Sequence, residues 1–305
     1  MTTLVTGSPG LVGSALQKIA SGDYYFASRQ DADLTNFDQT MELFNRVKPD
    51  KVIHLAALVG GIGGNLMHSG DYFRNNLLIN ANVLESARIS GVDRLISFMS
   101  TCVFPNEGPY PLKSTDLHNG QPHPSNFGYA YAKRMLEVQS RAYRAQWGLE
   151  YSVAIPTNIY GPNDNFNLTE GHVVPALIHK TFMAQKTNSP LVIWGSGKPL
   201  REFVFSSDIA HLTLWMLENY TDKEPLILSS GVETSIEDLA LQVARDMNFE
   251  GEIVFDASKP DGQFRKPSDA ETLKNLHPGF QFTSLSAGIK DSVEWFTDNY
   301  PNLRM

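Results

Sequence analysis

The chain has 305 residues, 42% of them hydrophobic and 19% charged, enough to bury one large core or two smaller ones and too apolar for a disordered protein. Its formal charge of -8 argues against a nucleic-acid or membrane-surface partner, while leaving room for a local basic pocket that receives an anion. No apolar run is long enough to span a bilayer, and the first residues run directly into a glycine motif where a signal peptide would have to fit. A single cysteine, Cys102, permits no intramolecular disulfide, so a reducing cytosol is the expected compartment.

In chain order, Thr3 to Thr6 reads as a short strand, Gly13 to Ala20 has helical spacing, and Tyr24 to Ala27 is a second strand. Met41 to Val47 is helical, Lys51 to Leu55 a strand, and Tyr72 to Ser90 a long amphipathic helix. Arg94 to Met99 is a strand, Tyr129 to Trp147 a helix, and Tyr151 to Ile155 a strand again. This alternation predicts an α/β fold, a Rossmann-like doubly wound parallel sheet with helices on both faces. Pro162 to Pro199 and Glu233 onward leave the alternation, with short strands at Leu191 to Trp194 and Glu252 to Phe255. Phe203 to Ser230 returns to strand, helix, strand and is assigned to the main sheet. Two discontinuous domains are expected: residues 1–162 with 203–231 for a dinucleotide, and residues 163–202 with 232–305 as a smaller substrate domain, with the site in the cleft between them.

Gly7, Gly10 and Gly13 stand between the first strand and the first helix, where a tight turn exposes backbone N–H groups, including those of Leu11 and Val12, to a pyrophosphate. Pro9 stiffens that turn and removes one N–H, so the phosphate contacts fall to its neighbours. At the end of the second strand an acidic residue would hold the ribose 2′-hydroxyl of NAD. This chain has Ser28-Arg29-Gln30, a hydroxyl and a guanidinium suited to the 2′-phosphate of NADPH, although a surface arginine would look the same. Asp33 and Leu34 are placed near the adenine, and Leu55-Ala56-Ala57 offer small side chains where the cofactor passes close to the backbone.

Tyr129 and Lys133 are spaced to share one helix face. A phenol with a pKa of about 10 is a poor acid near neutrality unless a cation stabilises the phenolate, and Lys133 can supply it. Ser100 would hydrogen-bond a substrate carbonyl while Tyr129 protonates its oxygen as hydride arrives at carbon. Taken alone, Tyr-x-x-x-Lys is better explained by an exposed amphipathic helix, and the glycine motif and Ser100 are the context that reverses this. A single cysteine such as Cys102 is more commonly a small buried apolar residue than a catalyst. His172, after a loop and before an apolar helix, reads equally as a capping or surface histidine.

The glycine motif, Leu55-Ala56-Ala57, Ser100 and Tyr129-x-x-x-Lys133 resemble the extended short-chain dehydrogenase/reductase family, many of whose members act on nucleotide sugars. Ser100-Thr101-Cys102-Val103-Phe104-Pro105, Pro156-Thr157-Asn158-Ile159-Tyr160-Gly161-Pro162, Gly171-His172-Val173-Val174-Pro175-Ala176 and Trp194-Gly195-Ser196-Gly197 resemble one branch of it over essentially the whole chain. That branch epimerises GDP-4-keto-6-deoxy-D-mannose at C3 and C5 and then reduces the C4 ketone with NADPH. The resemblance implies Cys102 as the base and His172 as the acid of epimerisation. It also implies Pro156, Asn158, Ile159 and His172 beside the cofactor, and Asn158, Trp194, Arg201 and Lys266 with Ser100 and Cys102 against the GDP-sugar. It implies a homodimer through the Tyr72 to Ser90 and Tyr129 to Trp147 helices, and no metal. The alternatives are an NAD-dependent nucleotide-sugar 4-epimerase of the same family, against which Cys102, His172 and Arg29 argue, and a non-catalytic dinucleotide-binding scaffold.

Overall fold

The computed structural model describes residues 1–169, 171–259 and 261–304. The first half alternates β1 (Thr3–Thr6), α1 (Leu11–Ile19), β2 (Tyr24–Ala27), α2 (Phe37–Val47), β3 (Lys51–His54), α3 (Ile62–Met67), α4 (Ser69–Ile89), β4 (Arg94–Phe98), α5 (Phe127–Trp147) and β5 (Glu150–Pro156). It continues through β6 (Asn158–Tyr160), α6 (Val173–Thr187), β7 (Leu191–Trp194), β8 (Leu200–Phe205), α7 (Ser206–Asn219) and β9 (Leu226–Leu228). The chain then adds β10 (Glu233–Ser235), α8 (Ile236–Asp246), β11 (Ile253–Asp256), α9 (Glu271–Leu276) and α10 (Leu285–Asn299).

The main sheet has six strands in the order β2-β1-β3-β4-β5-β9, all parallel. Successive residues point to opposite faces. Leu4, Val52, Leu95 and Val153 therefore pack against Val83, Leu84 and Leu136 of α4 and α5 on one side. On the other, Val5, Ile53, Ile96 and Ala154 meet Leu16 of α1 and Leu212 and Met216 of α7. Burial of both faces explains why these strands read as continuous apolar runs rather than as alternating ones. Strand order reverses direction between β1 and β3, and it is at such a switch point, outside the carboxyl ends of the strands, that ligands of open α/β sheets bind.

The element boundaries expected from the sequence fall within a few residues of those observed in the first half. One assignment is corrected. Phe203 to Phe205 belongs to β8, which pairs with β6 and β10 in a separate three-stranded sheet; of that stretch only β9 joins the main sheet. The apolar pattern of β8 reports burial, and that burial is shared with a third core built by α6, α8 and α10 around Phe166, Ile178, Val243 and Phe296. A pattern of side chains carries no information about which strand lies alongside.

Candidate active site

Gly7 has φ +76°, and a Cβ there would lie 2.6 Å from the Ala56 nitrogen. A Cβ at Gly13 would lie 2.6 Å from the Ser8 Cα. The loop after β1 is thus pressed against Leu55-Ala56 after β3, at the switch point. Gly10 caps α1 with no side-chain hydrogen bond, and the first helical bond runs from the Ser14 N–H to the Gly10 carbonyl at 2.8 Å. The N–H groups of Leu11, Val12 and Gly13 have no acceptor within their helix, which makes the loop an anion cradle that any larger side chain would fill. Asn76 fixes the far wall: its carboxamide accepts from the Leu58 N–H and donates to the Leu58 carbonyl, both at 2.9 Å.

Arg29 is exposed at the end of β2. The turn before it is set by Asp31, which accepts from the Ser28 N–H at 2.9 Å and from the Tyr25 hydroxyl at 2.6 Å. The Asp31 carboxylate is therefore committed to the turn. Asp33 is held below its ordinary pKa by its hydrogen bonds from Thr35 and, more weakly, by the Arg29 and Arg74 charges.

α5 brings Tyr129 and Lys133 under the carboxyl end of β4, and Ser100 and Cys102 follow that strand in a 3-10 turn over Thr101–Val103. Tyr129 is buried and edge-on to Tyr72, with ring centroids 6.5 Å apart. Burial pushes its phenol well above the ordinary value, with Cys102 and Tyr72 adding to the effect. Lys133 donates to the Phe98 carbonyl at 2.9 Å, and burial lowers its pKa to about 8. The expected lowering of the phenol by Lys133 is thus absent: desolvation dominates, and the ammonium is tied to the strand end. A phenol so placed is fully protonated at neutral pH, the form needed to donate a proton to a carbonyl oxygen. Behind Lys133 the buried His54 is kept neutral, its pKa lowered to about 3 by burial and by the Lys133 charge. Its ring nitrogens lie 2.8 Å from the Thr6 hydroxyl and 3.1 Å from Asn80 Oδ1.

Cys102 is partly buried. Desolvation raises its thiol pKa, opposed by the Lys266 charge, a hydrogen bond from Ser100 and the Lys133 charge. Lys266 is lowered to about 8 by burial, with Arg201 also depressing it and Cys102 opposing. One cluster thus unites Ser100, Cys102, Tyr129, Lys133, Lys266 and Arg201. Asn158 lies exposed at its edge, its carboxamide nitrogen donating to the Glu202 carbonyl at 2.8 Å. Pro156 and Ile159 flank it at the end of β5 and in β6. Trp194 is 55% exposed, with the Lys180 Nζ 4.6 Å and the Lys259 Nζ 5.7 Å from its ring centroid.

His172, at the N-cap of α6, is half-exposed, and its charged partner is Asp164, 3.9 Å from Nδ1. The Asp164 carboxylate raises the imidazole pKa against the opposing effect of desolvation. Asp164 is buried, accepts the Asn165 N–H at 2.7 Å, and keeps Oδ2 without a hydrogen bond among the described residues. Asp164→Asn should therefore lower the His172 pKa, which an NMR titration of the ring protons reads directly; an unchanged pKa would remove Asp164 from the account.

The chain matches the family described as "NAD dependent epimerase/dehydratase family" over residues 3–228. It is 47% identical to a GDP-L-fucose synthase of Dictyostelium discoideum over 99% of this chain and 97% of the relative. It is 32% identical to the GDP-L-fucose synthase of Escherichia coli K12 over 98% of both. The chain belongs to the GDP-L-fucose synthase branch of that family. A crystal structure of a GDP-L-fucose synthetase from Naegleria fowleri bound to NADP superposes with a TM-score of 0.95 at 41% identity, covering 100% of this chain and 95% of that one.

Sequence reasoning missed several residues around this family site. Asp164 stands eight positions before its histidine, and Lys180 lies on α6 far from the Trp194 it stacks on. Glu202, buried beside Arg201, accepts the Ser268 N–H at 3.2 Å and so tethers the segment carrying Lys266. Glu202 follows Arg201 directly, and a charged residue inside an apolar strand was the available signal for it.

Proposed function

We propose that the cluster around Cys102 and Tyr129 epimerises GDP-4-keto-6-deoxy-D-mannose at C3 and C5 and reduces C4 with NADPH, giving GDP-L-fucose. The observation that carries this reading is the convergence of a thiol base candidate on the Ser100-bearing turn after β4 with a protonated phenol on α5, both within reach of the Lys133 and Lys266 charges. Protons on C3 and C5 are acidic because they flank the C4 carbonyl, and removal of either gives an enolate. Ser100 and Tyr129 donate to the C4 oxygen, so the same two groups stabilise the enolate in epimerisation and polarise the ketone for reduction. Cys102 takes the proton, and His172, whose imidazolium form the Asp164 carboxylate favours, returns one from the opposite face. With NADPH bound, the dihydronicotinamide supplies the hydride for C4. Tyr129 then gives its proton to the oxygen, and the Lys133 ammonium stabilises the phenolate left behind.

The glycine cradle fits the pyrophosphate, Asp33 and Leu34 the adenine side, and Arg29 the 2′-phosphate. A charge-assisted hydrogen bond of about 1.5–3 kcal/mol corresponds to roughly a tenfold to hundredfold change in binding. Arg29→Ala should weaken NADPH by that factor and leave NADH unchanged, as read by titrating each cofactor; equal losses for both would return Arg29 to the surface. Arg201 and Lys266 supply the basic pocket for the diphosphate in an otherwise acidic chain, and Trp194 offers a platform for sugar or guanine. The cleft between residues 1–162 with 203–231 and residues 163–202 with 232–305 would hold the substrate. Exposed Phe73 on α4, and Phe127, Met135 and Val138 on α5, suit pairing of two copies through these helices. The compartment that fits a free thiol is the cytosol.

Incubation with the keto sugar and NADPH tests the whole reading. Stoichiometric NADPH consumption with GDP-L-fucose as product is expected. Interconversion of sugar isomers without net consumption would move the chain to the 4-epimerases.

A further inference from the structure

We propose that Arg134 is a positioning residue for epimerisation, whose buried guanidinium holds the Thr101–Val103 turn so that Cys102 stays in register with Tyr129 and Lys133. The proposal rests on the reading of Cys102 as the base. Arg134 is 3% exposed. Its Nε donates to the Val103 carbonyl at 2.7 Å and its Nη1 to the Gly120 carbonyl at 2.8 Å, while the guanidinium carbon sits 5.3 Å from the Tyr131 ring centroid. Lys133, the preceding residue on α5, donates to the Phe98 carbonyl at 2.9 Å. Two adjacent cations of one helix therefore pin the two ends of one segment, Lys133 at Phe98 and Arg134 at Val103, and Ser100 and Cys102 lie between these anchors.

The anchors are not equivalent. Ser100 is two residues from the Phe98 anchor, and Cys102 is one residue from the Val103 anchor. Inside the turn, the Val103 N–H bonds the Ser100 carbonyl at 3.1 Å and the Phe104 N–H bonds the Thr101 carbonyl at 3.2 Å. The Gly120 carbonyl lies where the chain returns past the same turn, the Asn106 N–H meeting the Gln121 carbonyl at 2.9 Å and Pro105 forming an isolated antiparallel bridge with Pro122. Arg134 thus grips both sides of the loop that carries Cys102, and the planar fork of a guanidinium is suited to spanning two carbonyls.

Stability alone does not account for this residue. Nη2 is buried without a hydrogen-bond partner among the described residues, and burial depresses the guanidinium pKa. An apolar side chain of similar volume would avoid the cost of that nitrogen but would leave the Val103 and Gly120 carbonyls without this donor. What an apolar side chain would forgo is the fixed position of the Val103 carbonyl.

Two half-reactions read the proposal separately. Epimerisation is followed without NADPH as wash-in of solvent deuterium at C3 and C5 of the keto sugar, and reduction as NADPH oxidation on substrate epimerised beforehand. Because a misplacement of about 1 Å can cost on the order of 100-fold, Arg134→Lys should slow deuterium wash-in by about tenfold to hundredfold and change reduction by less than about threefold. Parallel losses in both assays, or wild-type wash-in, would overturn the proposal. If Arg134→Lys fails to fold, Arg134→Ala titrated with ethylguanidinium replaces it. Saturable recovery of wash-in by ethylguanidinium and not by ethylammonium supports positioning, and recovery by neither or by both counts against it. Cys102→Ser in the same assay separates the two levels: wild-type wash-in there would overturn the base assignment itself, whereas loss there with wild-type wash-in in Arg134→Lys would overturn only the role of Arg134.

Discussion

Tyr129→Phe is expected to lower the rate of NADPH oxidation by about 100-fold to 10,000-fold, the range typical of a removed general acid. Deuterium wash-in at C3 and C5 should persist at a reduced rate, because Cys102 still takes the proton and only one of the two donors to the C4 oxygen is lost. Reduction at near wild-type rate in the Phe variant would exclude Tyr129 as the proton donor. The wild-type pH profile has a predictable shape. Lys133 has its pKa lowered to about 8 by burial, so its ammonium is charged below that pH and lost as pH rises through it. The phenol is held well above the ordinary value and remains protonated across the same range. Reduction should therefore fall on the alkaline side with an apparent pKa near 8 set by the cation. Lys266 is lowered to a similar value, about 8, and the two are separable by which kinetic constant titrates. Lys266 beside a bound diphosphate would be held charged, so it should shape kcat/KM and disappear from kcat, whereas Lys133 should appear in both. In Lys133→Met the alkaline fall in kcat should be gone and the rate low throughout.

The parts of this site that could be read from the sequence are those whose geometry is local. Gly7, Gly10 and Gly13 form a cradle because a strand, a turn and a helix follow one another without interruption, and each glycine answers to a backbone a few residues away or just after β3. Tyr129 and Lys133 share a helix face by spacing alone. Ser100 is legible for the same reason, lying just past one strand, whereas Cys102 two residues on reads by itself as a small buried apolar residue and takes its role only from the family resemblance. What escaped is set by distance along the chain. Arg134 stands beside Lys133 in plain view, yet its purpose depends on carbonyls at Val103 and Gly120 that only tertiary structure delivers. Asp164 finds His172 across a loop, and Lys180 finds Trp194 across the β7 sheet edge. The separate sheet of β6, β8 and β10 was hidden because the apolar pattern of β8 reports burial and not which strands, here 158–160 and 233–235, lie alongside it. The balance of effects on Tyr129 was also beyond sequence: adjacency to a lysine predicts a lowered pKa, and burial of the phenol reverses it.

Cys102→Ser should separate the two halves of the reaction in the opposite sense. A serine hydroxyl has nearly the shape of a thiol but is far less acidic, so it cannot supply an anionic base near neutrality. Loss of about 100-fold or more in deuterium wash-in is expected, with hydride transfer retained. A variant that still reduces should then release the C4-reduced sugar nucleotide with C3 and C5 uninverted, a stereochemically distinct product that NMR coupling constants identify. The wild-type protein carries the same separation in its pH dependence. Burial raises the Cys102 thiol above its ordinary value, more than Lys266, Ser100 and Lys133 together pull it down, so the thiolate is a minor species at neutral pH and grows as pH rises. Wash-in needs only abstraction by the thiolate and return of a solvent-exchanged deuteron by the same thiol, without His172, so it should climb through the alkaline range in which reduction declines, and the ratio of wash-in to NADPH oxidation should increase with pH. A ratio that stays flat would mean that one titrating group governs both steps. On the proposed roles, thiol and ammonium sit in a single cluster with opposite requirements, one most effective when deprotonated and the other when protonated, and the two halves of the reaction should overlap only where both forms are present.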